Sequence, residues 1–250
     1  MKLFTHTPRR WITPGGQYFT LYGDMSDATH LLIAGTTGSG KSVVINGILH
    51  SLLVRYSPVS CGLILIDPKR VELVQYAELP HVIRYASEPG EYAAALQSAM
   101  DIVEDRYQQM RNRRERKYTG GHVYVIIDEL ADLMTTDGKK SGELLQRLCQ
   151  IGRAANVHVI AATQCPLASV IPTAIKVNFD YRLGLHTRTA QDSRNILGVK
   201  GCETLPRFGL GHYLTPDGLK CWRLPMVQDA DLESVCTWWS NPALCTVRTA

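Results

Sequence analysis

The chain has 250 residues, enough for one large α/β domain with its own core. Hydrophobic residues make up 45% and charged residues 20%, which excludes a disordered polar chain. The net charge of +4 permits a nucleic-acid partner without requiring one. The 7 cysteines include no C-x-x-C pair, which argues against a disulfide framework or a zinc site. A reducing compartment fits that usage best, and the expected location is cytoplasmic. No apolar run approaches the roughly 18 residues of a membrane helix, and the N-terminal stretch lacks the apolar centre of a signal peptide.

Residues 1–28 read as an irregular segment broken by Pro8, Pro14, Gly15, Gly16 and Gly23, with "YFTLY" as one short strand. "HLLIAG" is a buried strand, and a helical face of Val43, Val44, Gly47, Ile48, Ser51, Leu52 and Val54 follows it. "CGLILID" reads as a second strand, "GEYAAALQSAMDIVEDRYQQMRNRRERKY" as a long helix and "HVYVIIDEL" as a third strand. "SGELLQRLCQIGRAA" is a helix with Leu144, Leu145, Leu148 and Ile151 on one side. "VHVIAATQ" and "YRLGLH" make a fourth and a fifth strand, and "GHYLTPDGLKCWRLP" a hairpin turning at Pro216, Asp217 and Gly218. A short helix closes the pattern near 229–240. Near-continuous apolar strands alternating with helices predict a doubly wound, mostly parallel α/β sheet with a C-terminal β-hairpin. The expected divisions are the segment 1–28, one α/β domain over 29–225, and a C-terminal helix and tail over 226–250.

Ligands of such sheets bind at the carboxyl ends of the strands. "GTTGSGKS" lies at one of these ends and fits G-x-x-x-x-G-K-[ST], a loop whose N–H groups cradle phosphates. Gly35, Thr36, Thr37, Gly38, Ser39, Gly40, Lys41, Ser42 and Val43 are therefore the expected ATP-binding residues. Lys41 would reach the β- and γ-phosphates, and the Ser42 hydroxyl would hold Mg²⁺. "VYVIIDEL" supplies the second half of the site. Asp128 can bind Mg²⁺ through water, while Glu129 can orient and deprotonate the attacking water, which favours hydrolysis over transfer to a hydroxyl. Two readings fit Gln164 equally: a γ-phosphate sensor, or a strand-end side chain facing solvent. The basic run "RNRRERK" reads more readily as a solvated helix end than as a DNA contact.

The pieces "HLLIAGTTGSGKSV", "LILIDPKRVEL", "LPHVI", "VIIDELADLM", "RLCQIGRAANVHVIAATQ" and "DSRNIL" together resemble the FtsK/SpoIIIE DNA translocases. They occur in family order over roughly residues 24–215. The resemblance implies a RecA-like P-loop NTPase that uses ATP and Mg²⁺. It also implies a homohexameric ring that encircles double-stranded DNA and moves it. Arg153 matches the family's arginine finger, which acts on the nucleotide of the neighbouring subunit. Lys176, Arg188 and Arg194 lie at or beside basic positions of the DNA-facing region. Cys165 and Ala190 depart from the arginine and lysine usual at their positions. Because fewer than 30 residues precede the core, a partner supplying an N-terminal subdomain is a further expectation. Two rival functions remain open: a coupling ATPase of conjugation or protein export, and a nucleotide-dependent scaffold that does not translocate.

Overall fold

The computed structural model describes residues 30–223 and 227–241, together with the backbone of two short strands near the N-terminus. Those two, β1 (Trp11–Ile12) and β2 (Tyr18–Phe19), pair antiparallel. The segment expected to be irregular thus carries one antiparallel strand pair, and the rest of residues 1–28 lies outside the described residues. The main chain then runs β3 (His30–Ala34), α1 (Lys41–Arg55), β4 (Cys61–Ile66), β5 (Val82–Ala86), α2 (Glu91–Arg113) and β6 (His122–Ile127). It continues through α3 (Leu130–Thr136), α4 (Gly138–Ile151), β7 (Val157–Thr163), α5 (Thr173–Lys176) and β8 (Tyr181–Gly184). Helix α6 (Ala190–Leu197), the hairpin β9 (Leu210–Thr215) and β10 (Gly218–Arg223), and α7 (Asp229–Ser240) complete it.

Eight strands form one sheet in the order β10-β9-β8-β3-β7-β6-β4-β5. Strands β8 through β5 are parallel, and the β9–β10 hairpin adds an antiparallel edge. The doubly wound, mostly parallel sheet with its C-terminal hairpin is therefore as the apolar runs predict. From β3 the chain crosses to β4, works back through β6 and β7, and then jumps to β8 on the other side of β3. Strand β3 is the point at which the winding reverses, which opens a crevice at its carboxyl end.

Alternation along the strands divides the core into two layers. Leu31 and Ile33 face α1 and α7, while Leu32 faces the layer of α2, α3 and α4. Helix α1 buries Val44, Ile45, Ile48, Leu49, Leu52 and Leu53, but leaves Val43 and Val54 exposed. The buried face is wider than the sequence periodicity indicates and rotated from it, because α1 is covered twice, by the sheet and by α7. Trp239 of α7 is buried in this layer and donates its indole N–H to Leu53 O at 2.9 Å. The C-terminal helix is thus packed on the core, and each large apolar side chain buried there contributes about 1.5–3 kcal/mol. Residues 242–250 lie outside the described residues.

The sequence pattern misses β5, α3 and α6. Strand β5 is an edge strand, with Ile83 and Arg84 exposed, so it lacks the apolar run of a central strand. Helix α3 merges with "DEL" in the sequence, and only the break at Asp137–Gly138 separates it from α4.

Candidate nucleotide site

The phosphate loop connects β3 to α1 at the reversal point. Its shape needs glycine at two places where the backbone turns left-handed, Gly38 at φ 74° and Gly40 at φ 99°. Close approach requires it at a third. A Cβ on Gly35 would stand 2.5 Å from Ser39 Oγ and 2.8 Å from Leu185 Cβ. Neighbouring strand ends clamp the loop: Gly35 N donates to Thr163 O at 3.3 Å and Thr36 N to His186 O at 2.9 Å. Lys41 and Ser42 open α1, where the first backbone N–H groups have no partners within the helix and favour an anion. Val43 sits on the outer side of that first turn, 36% exposed.

Lys41 folds back on the loop and donates to Gly35 O and Thr36 O, each at 3.0 Å. Burial pushes its ammonium below the usual lysine range, and Lys69 adds to this against the opposing charges of Glu129 and Asp128. An ammonium held on neutral carbonyls in a desolvated loop is poised to exchange them for phosphate oxygens.

Asp128 and Glu129 follow β6 directly. Asp128 is buried, and its carboxyl is pushed up to about 7, first by burial and then by the charges of Glu72 and Asp67. Asp67 ends β4, the next strand, and is fully buried. Its Oδ2 accepts the Leu73 N–H at 2.9 Å, while Oδ1 has no partner among the described residues. The charges of Asp67, Glu72, Asp128, Glu129 and Asp132 meet those of Lys41 and Lys69 around this crevice. Among the described residues no three acidic, histidine or cysteine side chains converge to hold a metal by themselves, so Mg²⁺ here would rely on phosphate and water oxygens beside one carboxylate. Ser42 and Asp128 are the residues that would hold it, with Asp67 behind them.

Glu129 is the best-connected acid. Lys69 Nζ lies 3.0 Å from its Oε2, and the Gln164 backbone N–H donates to its Oε1 at 3.0 Å. Burial works against the Lys69 charge, but the Glu129 hydrogen bond and charge outweigh it and hold the ammonium above the usual lysine range. The Gln164 side chain is exposed, and its Oε1 accepts the Thr37 hydroxyl at 2.7 Å. Strand β7 lies between β3 and β6, so its last residue meets both the phosphate loop and the acid pair.

The remaining expected site residues lie elsewhere. Arg153 is exposed in a 3₁₀ turn, Gly152–Ala155, just before β7. The turn adjoins His30, the first residue of β3. A full parallel strand therefore separates Arg153 from its own phosphate loop, roughly 20 Å for the seven residues of β7. Arg188 and Arg194 are exposed, on the loop after β8 and on α6. Lys176, expected among the DNA-facing side chains, lies at the end of α5. It is 6% exposed, donates to Pro166 O at 3.1 Å, and has its ammonium lowered by burial and then by Arg182. Arg182 bonds the carbonyls of Lys176, Phe179 and Ile196, so this corner is closed by its own cations. The stretch "RNRRERK" is largely exposed around the C-terminal end of α2, as a solvated helix end should be.

The sequence places Asp67 at a strand end, where the same site can collect it, but gives no role to Lys69 or Glu72. Their signal was the stretch "IDPKRVEL", which carries the family resemblance but no chemistry that can be read from spacing alone.

A phosphate loop on β3, an acid pair on β6 and a polar strand end on β7 between them define a P-loop NTPase fold of the RecA-like kind. A model described as the FtsK/SpoIIIE family matches residues 19–124 and 121–168. This chain belongs to the FtsK/SpoIIIE family. The DNA translocase FtsK of Rickettsia prowazekii (strain Madrid E) is 37% identical over 237 residues, covering 78% of this chain and 32% of its own length. That of Mycobacterium tuberculosis (strain ATCC 25618 / H37Rv) is 38% identical over 240 residues, covering 86% and 29%. The chain thus spans about a third of the length of the curated relatives it matches. Among solved structures, the pCW3 conjugation coupling protein TcpA superposes with a TM-score of 0.76 at 21% identity, covering 88% of this chain and 67% of its own. EssC (ATPases 2 and 3) from Geobacillus thermodenitrificans gives 0.78 at 15%, covering 92% and 47%. At those identities the likeness is one of fold. No helix among the described residues is long and apolar enough to cross a membrane.

Proposed function

We propose that this chain is the motor core of a DNA translocase, hydrolysing ATP with Mg²⁺ in a hexameric ring to move double-stranded DNA. The observation that carries the reading is the convergence of Lys41, Asp128, Glu129 and Gln164 on one crevice through three adjacent strands. Lys41 and the α1 N-terminus bind the polyphosphate. Ser42 and Asp128 hold the metal, which when bound neutralises charge building on the transferred phosphoryl group. Glu129 receives the proton of the attacking water, and Gln164, bonded through Thr37 to the loop, reports the terminal phosphate. Arg153 faces away from this crevice and serves the nucleotide of the next subunit, a contribution typically about 10³–10⁵ in rate. Arg188 and Arg194 supply exposed cations for DNA phosphates, contacts that do not read sequence. The cytoplasm is the compartment where ATP, DNA and free thiols coincide.

A coupling ATPase for conjugation or protein export is the second reading, favoured by the fold likeness to TcpA and EssC. The higher identities are to DNA translocases, which favours the first. The deciding experiment is ATP turnover with and without duplex DNA. Stimulation by DNA is expected, with Lys41→Ala abolishing turnover and Glu129→Gln binding ATP without hydrolysing it. Stimulation by a cargo peptide and indifference to DNA would transfer the chain to the second reading.

A further inference from the structure

The carboxylate read above as the base has both oxygens occupied. Lys69 Nζ sits 3.0 Å from Oε2, and the Gln164 N–H lies 3.0 Å from Oε1 and 3.3 Å from Oε2. The Glu129 side chain is 3% exposed, so water does not compete for it, whereas Lys69 is 37% exposed. A general base needs a lone pair within reach of the proton it removes. An ammonium parked on Oε2 takes one away.

The Gln164 amide is backbone and fixed by β7, but Lys69 is a long, half-exposed side chain on the crest of a loop. That loop is anchored on both sides of the crest. Asp67 binds the Leu73 N–H at 2.9 Å, and Arg70 pairs with Glu88 beyond β5. Arg70 itself is held left-handed at φ 58°, an uncommon conformation for a residue other than glycine, asparagine or aspartate. Lys69 is therefore presented to Glu129 by a built loop, and one side-chain rotation breaks the contact without disturbing the fold. Its charge also reaches Lys41. A polyphosphate held by Lys41 thus competes with Glu129 for the same ammonium.

We propose that Lys69 is a latch on the catalytic glutamate: a positioning residue that holds Glu129 in an unproductive ion pair, so that turnover depends on how often Lys69 leaves it. This rests on Glu129 being the base. Both pieces lie in stretches of this chain that flank the same crevice, 60 residues apart in sequence but just beyond the ends of the adjacent strands β4 and β6.

The test is steady-state ATP hydrolysis by the full chain carrying Lys69→Met, with and without duplex DNA. Removing the latch raises kcat without DNA by about three- to tenfold, the scale of freeing one partly exposed ion pair. KM does not fall, because no phosphate contact is gained, and the stimulation ratio with DNA shrinks by the same factor. Lys69→Arg restores wild-type behaviour, since a guanidinium bridges the same carboxylate. A merely structural role would lower kcat or leave it unchanged, and either result overturns the latch. Amine-selective labelling gives a readout independent of turnover: without nucleotide, Lys69 labels faster in Glu129→Ala than in the wild type, and equal rates overturn the proposal. Glu129→Gln separates the two levels. If it hydrolyses ATP normally, the base assignment fails; if it is inactive while Lys69→Met is not accelerated, only the latch fails.

Discussion

Asp128→Asn should make the nucleotide-free protein more stable at neutral and alkaline pH, although it damages the site. In the fold the Asp128 carboxyl titrates at about 7 against an ordinary value of 3.8, because burial and the neighbouring Glu72 and Asp67 disfavour its charge. A carboxyl with a raised folded value favours the native state while protonated. Below about pH 4 it is neutral in both folded and unfolded chains and costs nothing. As pH rises from about 4 to about 7, the unfolded chain sheds this proton while the fold keeps it, so stability falls across that window and levels off once both are charged. At about 1.4 kcal/mol per pH unit, the gap between the two values amounts to about 4 kcal/mol at most, and solvent at the mouth of the crevice reduces it. Asparagine carries no charge at any pH. The variant should therefore match the wild type near pH 4 and exceed it by up to about 4 kcal/mol near pH 8, a Tm difference on the order of 10 °C for a chain of this size. The assay is thermal or urea unfolding across that range in EDTA, without nucleotide. Carboxylates remote from the crevice titrate alike in both proteins and cancel in the difference. A difference that does not change with pH, or a wild type more stable than the variant at pH 8, would refute the assignment of a destabilising buried charge to Asp128.

Lys176→Ala should cost about 1–3 kcal/mol in urea unfolding, because it strands the buried Pro166 carbonyl, and should leave the salt dependence of DNA binding unchanged. Arg194→Ala, by contrast, should reduce the log-log salt slope by about one while leaving stability within roughly 0.5 kcal/mol; a reduced slope for Lys176→Ala would return that residue to the DNA surface. Arg153→Ala should keep ATP affinity per subunit and lose most turnover, and mixing it with Glu129→Gln chains should recover part of the activity where an intact base meets an intact finger. Full turnover by Arg153→Ala at every protein concentration would make it an ordinary helix-end residue.

The phosphate loop, the acid pair and the parallel strands were legible in the sequence because each depends on local chemistry. Glycines permit left-handed turns, a lysine follows them at fixed spacing, and strands covered on both faces must be apolar throughout. The edge strand β5 escaped because one open side lets Ile83 and Arg84 face solvent, which erases the signal. The burial of Lys176 is hidden from the sequence for the opposite reason. A lysine's charge predicts water, and only the packing of the corner held by Arg182 and Pro166 turned it inward. The bond of Gln164 to Thr37 depends on strand order, which sets β7 between β3 and β6, and spacing alone does not show it. The contact of Lys69 with Glu129 has no trace in spacing at all. Which strand neighbours which is settled by how the helices cover the two faces of the sheet, and that is a property of the whole chain rather than of any stretch of it.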